Sequence, residues 1–550
     1  MKKLPLGIQS FRKIIEGGYV YVDKTQYIYN LINNASYIFL SRPRRFGKSL
    51  LLDTIGEVFS GDRELFKGLW IYASDYGFAK HPVIRLDMSG ISAENPDALK
   101  RSLASALRKR IEDENLYESH SESLGERLGE NLDIADEIPS DMFKRLIEAL
   151  CKKHGQRVVV LIDEYDKPIL DHIDNFEVAD ANRQVIKGFY GILKSMDPYL
   201  RSTFITGVSK FTKTSLFSEL NNFFDITLTE EYSNICGVAI EELGEYFGEH
   251  IVSLSALESF KQYGNLRDEI LAWYDGYSWD GKTRAINPFS LISFFMQKRF
   301  AGYWFASGSP KFLIDLIKKK PGDYTNLTNM ELSEYMLDMA ELGKIAVEPM
   351  LFQAGYLTVK ETIQTRGSPA YRVGMPNFEV REAFNLNVVS ALTENDEVRT
   401  GRMRLDIDRA LQAGDLQRML EALRSFFASI PYNLHIEQEA YYHSVFYAMM
   451  SALGFDMDVE VSVSKGRIDA ALELGDKAYV MEFKYKKCPP GASAAEKQKL
   501  SKEALDEAMR QIGDRGYSAK YKGSGKDVYQ AAFAFLGRGD IEMRVERIEP

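Results

Sequence analysis

Cysteine is scarce in this chain: three in 550 residues, Cys151, Cys236 and Cys488. Their odd number and wide separation exclude a disulfide framework and a clustered zinc site, and they fit a reducing compartment. A positive balance is lacking too. The formal net charge is −10, which excludes a protein that coats nucleic acid by overall charge but not one with a local basic groove. No apolar run reaches the length of a membrane span. The basic start MKKLPLGIQSFRKI has no long apolar segment of the secretory kind. Internal repeats and low-complexity tracts are absent as well. These absences point to a cytoplasmic chain with no membrane partner, long enough for roughly two to four domains.

One further absence is local. In SRPRRFGKSLLL, Ser41 to Leu52, Gly47, Lys48 and Ser49 end a phosphate-binding loop, but Arg42 stands where the first glycine belongs. The flanks carry the argument. SYIFL before the loop is a short apolar run that predicts a buried strand, and the leucines after it fall at helical spacing. A strand–loop–helix unit aims N–H groups and the positive end of the helix dipole at phosphate. Lys48 then reaches the outer phosphates and the Ser49 hydroxyl holds Mg²⁺. A surface turn with a basic run is the plain structural alternative.

A magnesium ion so placed needs an acid at the end of a neighbouring strand. RVVVLIDEYD, Arg157 to Asp166, is an apolar run ending in Asp163 and Glu164. Asp163 is the expected metal-side acid, and Glu164 the expected general base for the attacking water. RSTFITGVSKF, Arg201 to Phe211, predicts another buried strand. Its Thr206 and Ser209 stand equally for contact with phosphate or water and for an ordinary capping hydroxyl.

The alternation of strands and helices to about residue 234 predicts a layered α/β module around a parallel sheet. Residues 235–335 read as a helical subdomain. Within it, the aromatic cluster WYDGYSWDG and the NPFS stretch read as core more readily than as a base-stacking surface, with Asn287 as cap and Pro288 at the helix start. Residues 336–380 suggest a winged-helix module, and 381–430 a charged helical linker. In 431–550, GRIDAALELGDKAYVMEFKYKK predicts a hairpin turning at Gly475-Asp476. Asp469 lies on one strand, and Glu482 and Lys484 share a face of the next. Two strand acids can bind a divalent metal, with a lysine beside them to organise a nucleophile or offset developing charge. CPPGASAAEKQKL predicts a flexible loop at the rim, and Lys484, Lys486, Lys487, Lys497 and Lys499 a phosphate-binding patch.

Taken in order, YVDKT, RPRRFGKSLLL, LIDEYDKP, FITGVSKF, YDGY, NPFS, AGYLT and PNFEVR make the chain resemble bacterial and archaeal AAA-ATPase-like proteins that carry a C-terminal PD-(D/E)XK nuclease-family domain. The resemblance covers nearly the whole chain. It implies that the arginine-rich loop is the family's own version, with Arg42 and Arg45 as candidates for holding phosphate, and that the nucleotide is ATP. It further implies that Asp469 and Glu482 are the two acids and Lys484 the lysine of the nuclease motif. The resemblance also implies Glu439 on the preceding helix, placed before Glu437, as the residue that completes the metal shell, and Gln511 as the glutamine opposite the site. The expected fold is therefore α/β: a P-loop NTPase module, a helical and winged-helix middle, and a restriction-endonuclease-like module. The expected function is ATP-controlled, Mg²⁺-dependent cleavage of nucleic acid, with DNA placed before RNA and a homo-oligomer or protein partner left open. The alternative is an ATP-dependent switch or scaffold whose nuclease-like domain only binds nucleic acid or protein.

Overall fold

The computed structural model describes residues 1–116, 138–210, 222–304, 330–337, 347–392, 397–430, 437–452, 457–463, 466–489, 491–514, 525–537 and 540–548. Parts of the expected helical subdomain at 235–335, of the winged-helix candidate at 336–380 and of the linker at 381–430 lie outside these residues. The chain divides into two compact units, one from Met1–Trp304 with Asn329–Glu379 and the other from Val380–Pro550.

In the first unit the apolar runs form a five-stranded sheet. Its strands are β1 (Tyr37–Ser41), β2 (Val83–Asp87), β3 (Val158–Asp163), β4 (Leu200–Gly207) and β5 (Phe224–Asp225), in the order β2-β3-β4-β1-β5. All neighbours are parallel, with Leu40 beside Thr206 and Asp87 beside Asp163. A parallel sheet is covered on both faces, so β1 and β3 are buried along nearly their whole length, whereas β2, at the edge, alternates with Arg85 and Asp87 exposed. Period two still sorts the side chains of β3. Val158, Val160 and Ile162 join the core made with helices Pro96–Asp113, Pro139–His154 and Phe176–Ser195, while Val159 and Leu161 are buried outside that cluster. The helices contribute Leu99, Leu103 and Leu107, then Phe143 and Ile147, then Ile186 and Leu193, at the spacing of one helical face.

A second core lies in the helical stretch, where Leu243, Phe247, Ile270, Tyr274, Leu291, Phe294 and Phe295 pack together. Helix Pro288–Gln297 begins as expected: Asn287 Oδ1 accepts from the N–H groups of Phe289 and Ser290. Two short strands, β6 (Val238–Ala239) and β7 (Ala285–Ile286), pair antiparallel beside this core. The small mixed module is an antiparallel sheet of β8 (Met330–Ser333), β9 (Thr358–Ile363) and β10 (Ala370–Gly374), in the order β8-β10-β9. The aromatic hairpin docks on it. The Ser278 N–H donates to Thr358 Oγ1 at 2.6 Å, and Thr362 Oγ1 donates to the Asp280 carbonyl at 2.7 Å. Gly276, at φ +102°, comes so close to Pro376 that a Cβ would lie 2.3 Å from its carbonyl oxygen.

The second unit holds a sheet of β11 (Met457–Val463), β12 (Gly466–Leu474), β13 (Lys477–Lys486), β14 (Asp527–Leu536) and β15 (Asp540–Ile548), in sequence order. The hairpin turns at Gly475, φ +57°, as its turn pair requires. β13 and β14 are parallel, and helix Ala494–Asp514 makes the crossover between them, burying Ala504, Leu505, Ala508 and Ile512. Its start shortens the loop predicted from CPPGASAAEKQKL. Ser493 and Glu496 form a reciprocal cap, with Glu496 Oε2 accepting from the Ser493 N–H at 2.8 Å and Ser493 Oγ accepting from the Glu496 N–H at 3.3 Å. Helix Glu439–Ala452 packs its aromatic side on the sheet, through Phe446 on Phe483 and Phe533, and Tyr442 on Phe535.

Candidate functional sites

The first site gathers where β1, β3 and β4 end. Gly47 adopts φ +94° and starts helix Lys48–Ser60, a conformation glycine takes without strain. Lys48 is buried behind the loop and donates to the carbonyls of Arg42 (2.8 Å) and Pro43 (3.0 Å). Burial lowers its pKa against the opposing pull of Asp163, Asp166 and Glu164. Ser49 is half-buried in the first turn. Asp163 Oδ1 accepts from Thr206 Oγ1 at 2.5 Å and from the Glu164 N–H at 3.0 Å. Thr206 therefore faces the acid of the neighbouring strand. Glu164 sits at φ +50°, and burial raises its pKa although Lys48 counteracts it.

The loop arginines point elsewhere. Arg42 is 1% exposed. It donates Nη1 to the carbonyls of Ser41 (2.9 Å) and Thr227 (2.8 Å) and Nη2 to that of Tyr232 (3.3 Å), and it stacks 3.9 Å over the Trp279 ring. Burial pushes its pKa down to about 10. Arg45, at φ +67°, lies 4.0 Å over the Phe289 ring and donates to the Tyr303 carbonyl at 3.3 Å. Phe46 packs on Tyr277 and Trp279. The YSWD and NPFS aromatics are thus the floor on which the arginine-rich loop rests. YVDKT serves packing as well: Lys24 is buried, and its ammonium meets both carboxylate oxygens of Glu242 at 2.7 Å.

Sequence reasoning passed over Asp166. The signal was a third acid, three residues after Asp163, in a strand exit that was read only for its first two acids.

The second site is built on β12, β13 and helix Glu439–Ala452. Glu482 is 0% exposed and Lys484 is buried beside it. Lys484 Nζ donates to the Phe483 carbonyl (2.8 Å), to Glu439 Oε1 (3.3 Å) and to Glu482 Oε1 (3.4 Å). Burial works against the ammonium, but Glu439, Glu482 and Asp469 outweigh it and raise its pKa. Asp469 Oδ2 accepts from the Phe483 N–H at 2.9 Å, and Glu439 Oε2 from the Tyr485 N–H at 3.1 Å. His443 lies on Phe483 and donates Nε2–H to the Asp469 carbonyl at 2.9 Å. Gln511 lies half-buried on helix Ala494–Asp514.

A positive charge here is surrounded by oxygen alone: two carboxylates and a main-chain carbonyl. Such donors suit a small hard divalent cation. Among the described residues, however, no three or more His, Cys, Asp or Glu side chains stand close enough together to hold a metal. The lysines expected as a phosphate patch are mostly engaged: Lys486 with Glu507 (2.8 Å), Lys487 with Glu437 (3.3 Å) and Lys497 with Asp540 (2.6 Å). Among the described residues, no helix is long and apolar enough to cross a membrane.

Family models match both stretches of the chain in which these sites lie. Residues 5–217 match the family described as "Predicted AAA-ATPase", and residues 437–544 match the PD-(D/E)XK nuclease superfamily. A protein of Azotobacter chroococcum mcd 1, named "Uncharacterized protein in vnfD 5'region", is 35% identical over 543 residues, covering 97% of this chain and 96% of its own length. With a parallel sheet ending in the GKS loop and the Asp-Glu pair, and a hairpin carrying Asp469, Glu482 and Lys484, the chain belongs to the predicted AAA-ATPases that bear a C-terminal PD-(D/E)XK nuclease-superfamily domain.

Proposed function

We propose that this protein binds and hydrolyses ATP, and that nucleotide state governs a metal-dependent phosphodiesterase acting on nucleic acid. The observation that carries the reading is Lys484, whose buried ammonium stands among Glu482, Glu439 and a main-chain carbonyl. Two carboxylates beside one lysine, on and next to the central strand of the sheet in a nuclease-superfamily domain, suit phosphodiester hydrolysis better than stability. A surface ion pair contributes only about 0–1 kcal/mol, and burying Glu482 completely is costly without a compensating charge.

In the first unit, the N–H groups of the Gly47–Ser49 turn and the Lys48 ammonium receive the phosphates of ATP. Lys48 must leave the carbonyls of Arg42 and Pro43 to reach them. Ser49 and Asp163 would hold Mg²⁺ there, and Glu164 accepts the proton of the attacking water. Its raised pKa keeps it a stronger base than an ordinary glutamate. Arg42 has no part in phosphate contact in this reading: it anchors the loop from behind.

In the second unit, Asp469 and Glu482, with Glu439, would hold Mg²⁺ or Mn²⁺. The cation, when bound, polarises the phosphate and acidifies a water. Lys484 orients the nucleophile and offsets charge growing on the phosphate oxygens. DNA and RNA both present the phosphodiester this chemistry needs.

A second reading stands on a specific observation. The described acids do not converge into a three-ligand cluster, which favours a domain that docks on nucleic acid without cutting it. One experiment separates the two. The purified protein is incubated with DNA and RNA, Mg²⁺ or Mn²⁺, and with or without ATP. Cutting that disappears in Asp469→Ala supports the nuclease. Binding without cutting in every condition supports the docking module. ATP turnover and its loss in Lys48→Ala test the nucleotide site separately.

A further inference from the structure

Beyond Asp163 the chain continues Glu164-Tyr165-Asp166, and beyond Thr206 it continues Gly207-Val208-Ser209. These two strand exits are stitched together. The Tyr165 N–H donates to the Thr206 carbonyl and the Tyr165 hydroxyl to the Ser209 carbonyl, each at 3.0 Å. The Asp166 carboxylate accepts from the Val208 N–H (3.1 Å), the Ser209 N–H (2.6 Å) and the Ser209 hydroxyl (2.5 Å). Asp166 is 1% exposed. Among the described residues no lysine or arginine forms an ion pair with it; its direct partners are two main-chain N–H groups and a hydroxyl, and the Lys48 ammonium acts on it from farther off. The approach is close. A Cβ on Gly207 would lie 2.5 Å from the Tyr165 ring and 2.7 Å from Asp166 Oδ1.

The segment Asp166 grips is also tied to the phosphate loop. The Arg42 N–H donates to the Gly207 carbonyl at 3.2 Å, and Ser41 Oγ donates to the Val208 carbonyl at 2.5 Å. Residues 207–209 are therefore held by Asp166 on one side and by the entry to the loop on the other. Between the anchors sits Glu164, in a left-handed conformation that is unfavourable for a residue with a side chain. The hydrogen bonds of Tyr165 and Asp166, the next two residues, hold that conformation in place.

We propose that Asp166 is a positioning residue for nucleotide hydrolysis. By clamping Gly207–Ser209 it fixes Glu164 relative to the loop that carries Lys48. Buried as it is, it acts through Glu164 and not on the nucleotide itself, so its loss slows turnover and spares nucleotide affinity. The inference rests on the reading that Glu164 serves ATP hydrolysis.

The test uses the full-length protein and four variants: Asp166→Asn, Ser209→Ala, Glu164→Gln and Asp166→Asn combined with Glu164→Gln. Asp166→Asn keeps the size but turns amide hydrogens toward N–H donors. Its kcat for ATP should fall at least about thirtyfold, while the ATP dissociation constant from calorimetry shifts by less than about threefold. Ser209→Ala removes one donor and leaves two, so it folds more safely; its kcat should fall about fivefold with affinity again unchanged. In the Glu164→Gln background, Asp166→Asn should lower kcat no further, because it acts through Glu164. Wild-type kcat in both Asp166→Asn and Ser209→Ala overturns the positioning role. So does a full additional loss in the double variant. Wild type that binds ATP without turning it over overturns the hydrolysis reading, and this inference with it.

Discussion

Replacing Arg42 by glycine restores the usual loop sequence and should damage the protein. If Arg42 were merely a flawed first glycine, Arg42→Gly would be neutral or helpful. The side chain is instead buried, makes three hydrogen bonds to main-chain carbonyls, and stacks on Trp279. Hydrogen bonds to a charged group contribute about 1.5–3 kcal/mol each, and a desolvated cation–π contact about 0.5–2. The gross loss is thus roughly 5–11 kcal/mol. Relief from burying a cation, several kcal/mol by itself, offsets much of it. A net destabilisation of about 3–5 kcal/mol remains. At roughly 2–4 °C per kcal/mol for a domain of a few hundred residues, Tm should fall by about 6–20 °C. Urea unfolding followed by tryptophan fluorescence reads the same change, with Trp279 itself in the affected contact. Calorimetry with an ATP analogue, well below the lowered Tm, should show affinity within a few-fold of wild type. An unchanged Tm together with a large loss of ATP affinity would refute the reasoning and return Arg42 to the phosphates.

The other predictions bear on the remaining contacts. Lys484→Ala leaves Glu482 buried without its cation, so it should cost about 3–5 kcal/mol in metal-free buffer; Mn²⁺ should restore part of the lost Tm, and no response to metal in either wild type or variant counts against a cation at this site. Glu164→Gln should keep ATP bound while lowering turnover on the order of a hundredfold to a measurable residual rate, seen as nucleotide retained after gel filtration; unchanged turnover would remove its role as base. Gly276→Ala puts a Cβ 2.3 Å from the Pro376 carbonyl at φ +102°, and should destabilise by about 2–4 kcal/mol from strain and overpacking, measured by denaturant unfolding.

Much of this protein is written locally, and those parts were legible. The β1–loop–helix unit follows from an apolar run, a glycine at the helix start and leucines at helical spacing. The Gly475 turn follows from its residue pair, and Asn287 and Pro288 open their helix by rules that act over three residues. The placement of Glu482 and Lys484 on one face needs only the two-residue period of a strand. What only the tertiary structure decided depends on partners distant in the chain. Arg42 meets Thr227, Tyr232 and Trp279, roughly two hundred residues on, so no local pattern could tell a phosphate ligand from a buried anchor. Asp166 gains its partners because β3 and β4 are neighbours in the sheet, a consequence of strand order. The lysines around the hairpin look like a phosphate patch in sequence, and long-range folding brings Glu507 and Asp540 to Lys486 and Lys497. Periodicity and turn chemistry act through bonds between near neighbours, whereas the fate of a charge is set by whichever groups the folded chain places beside it.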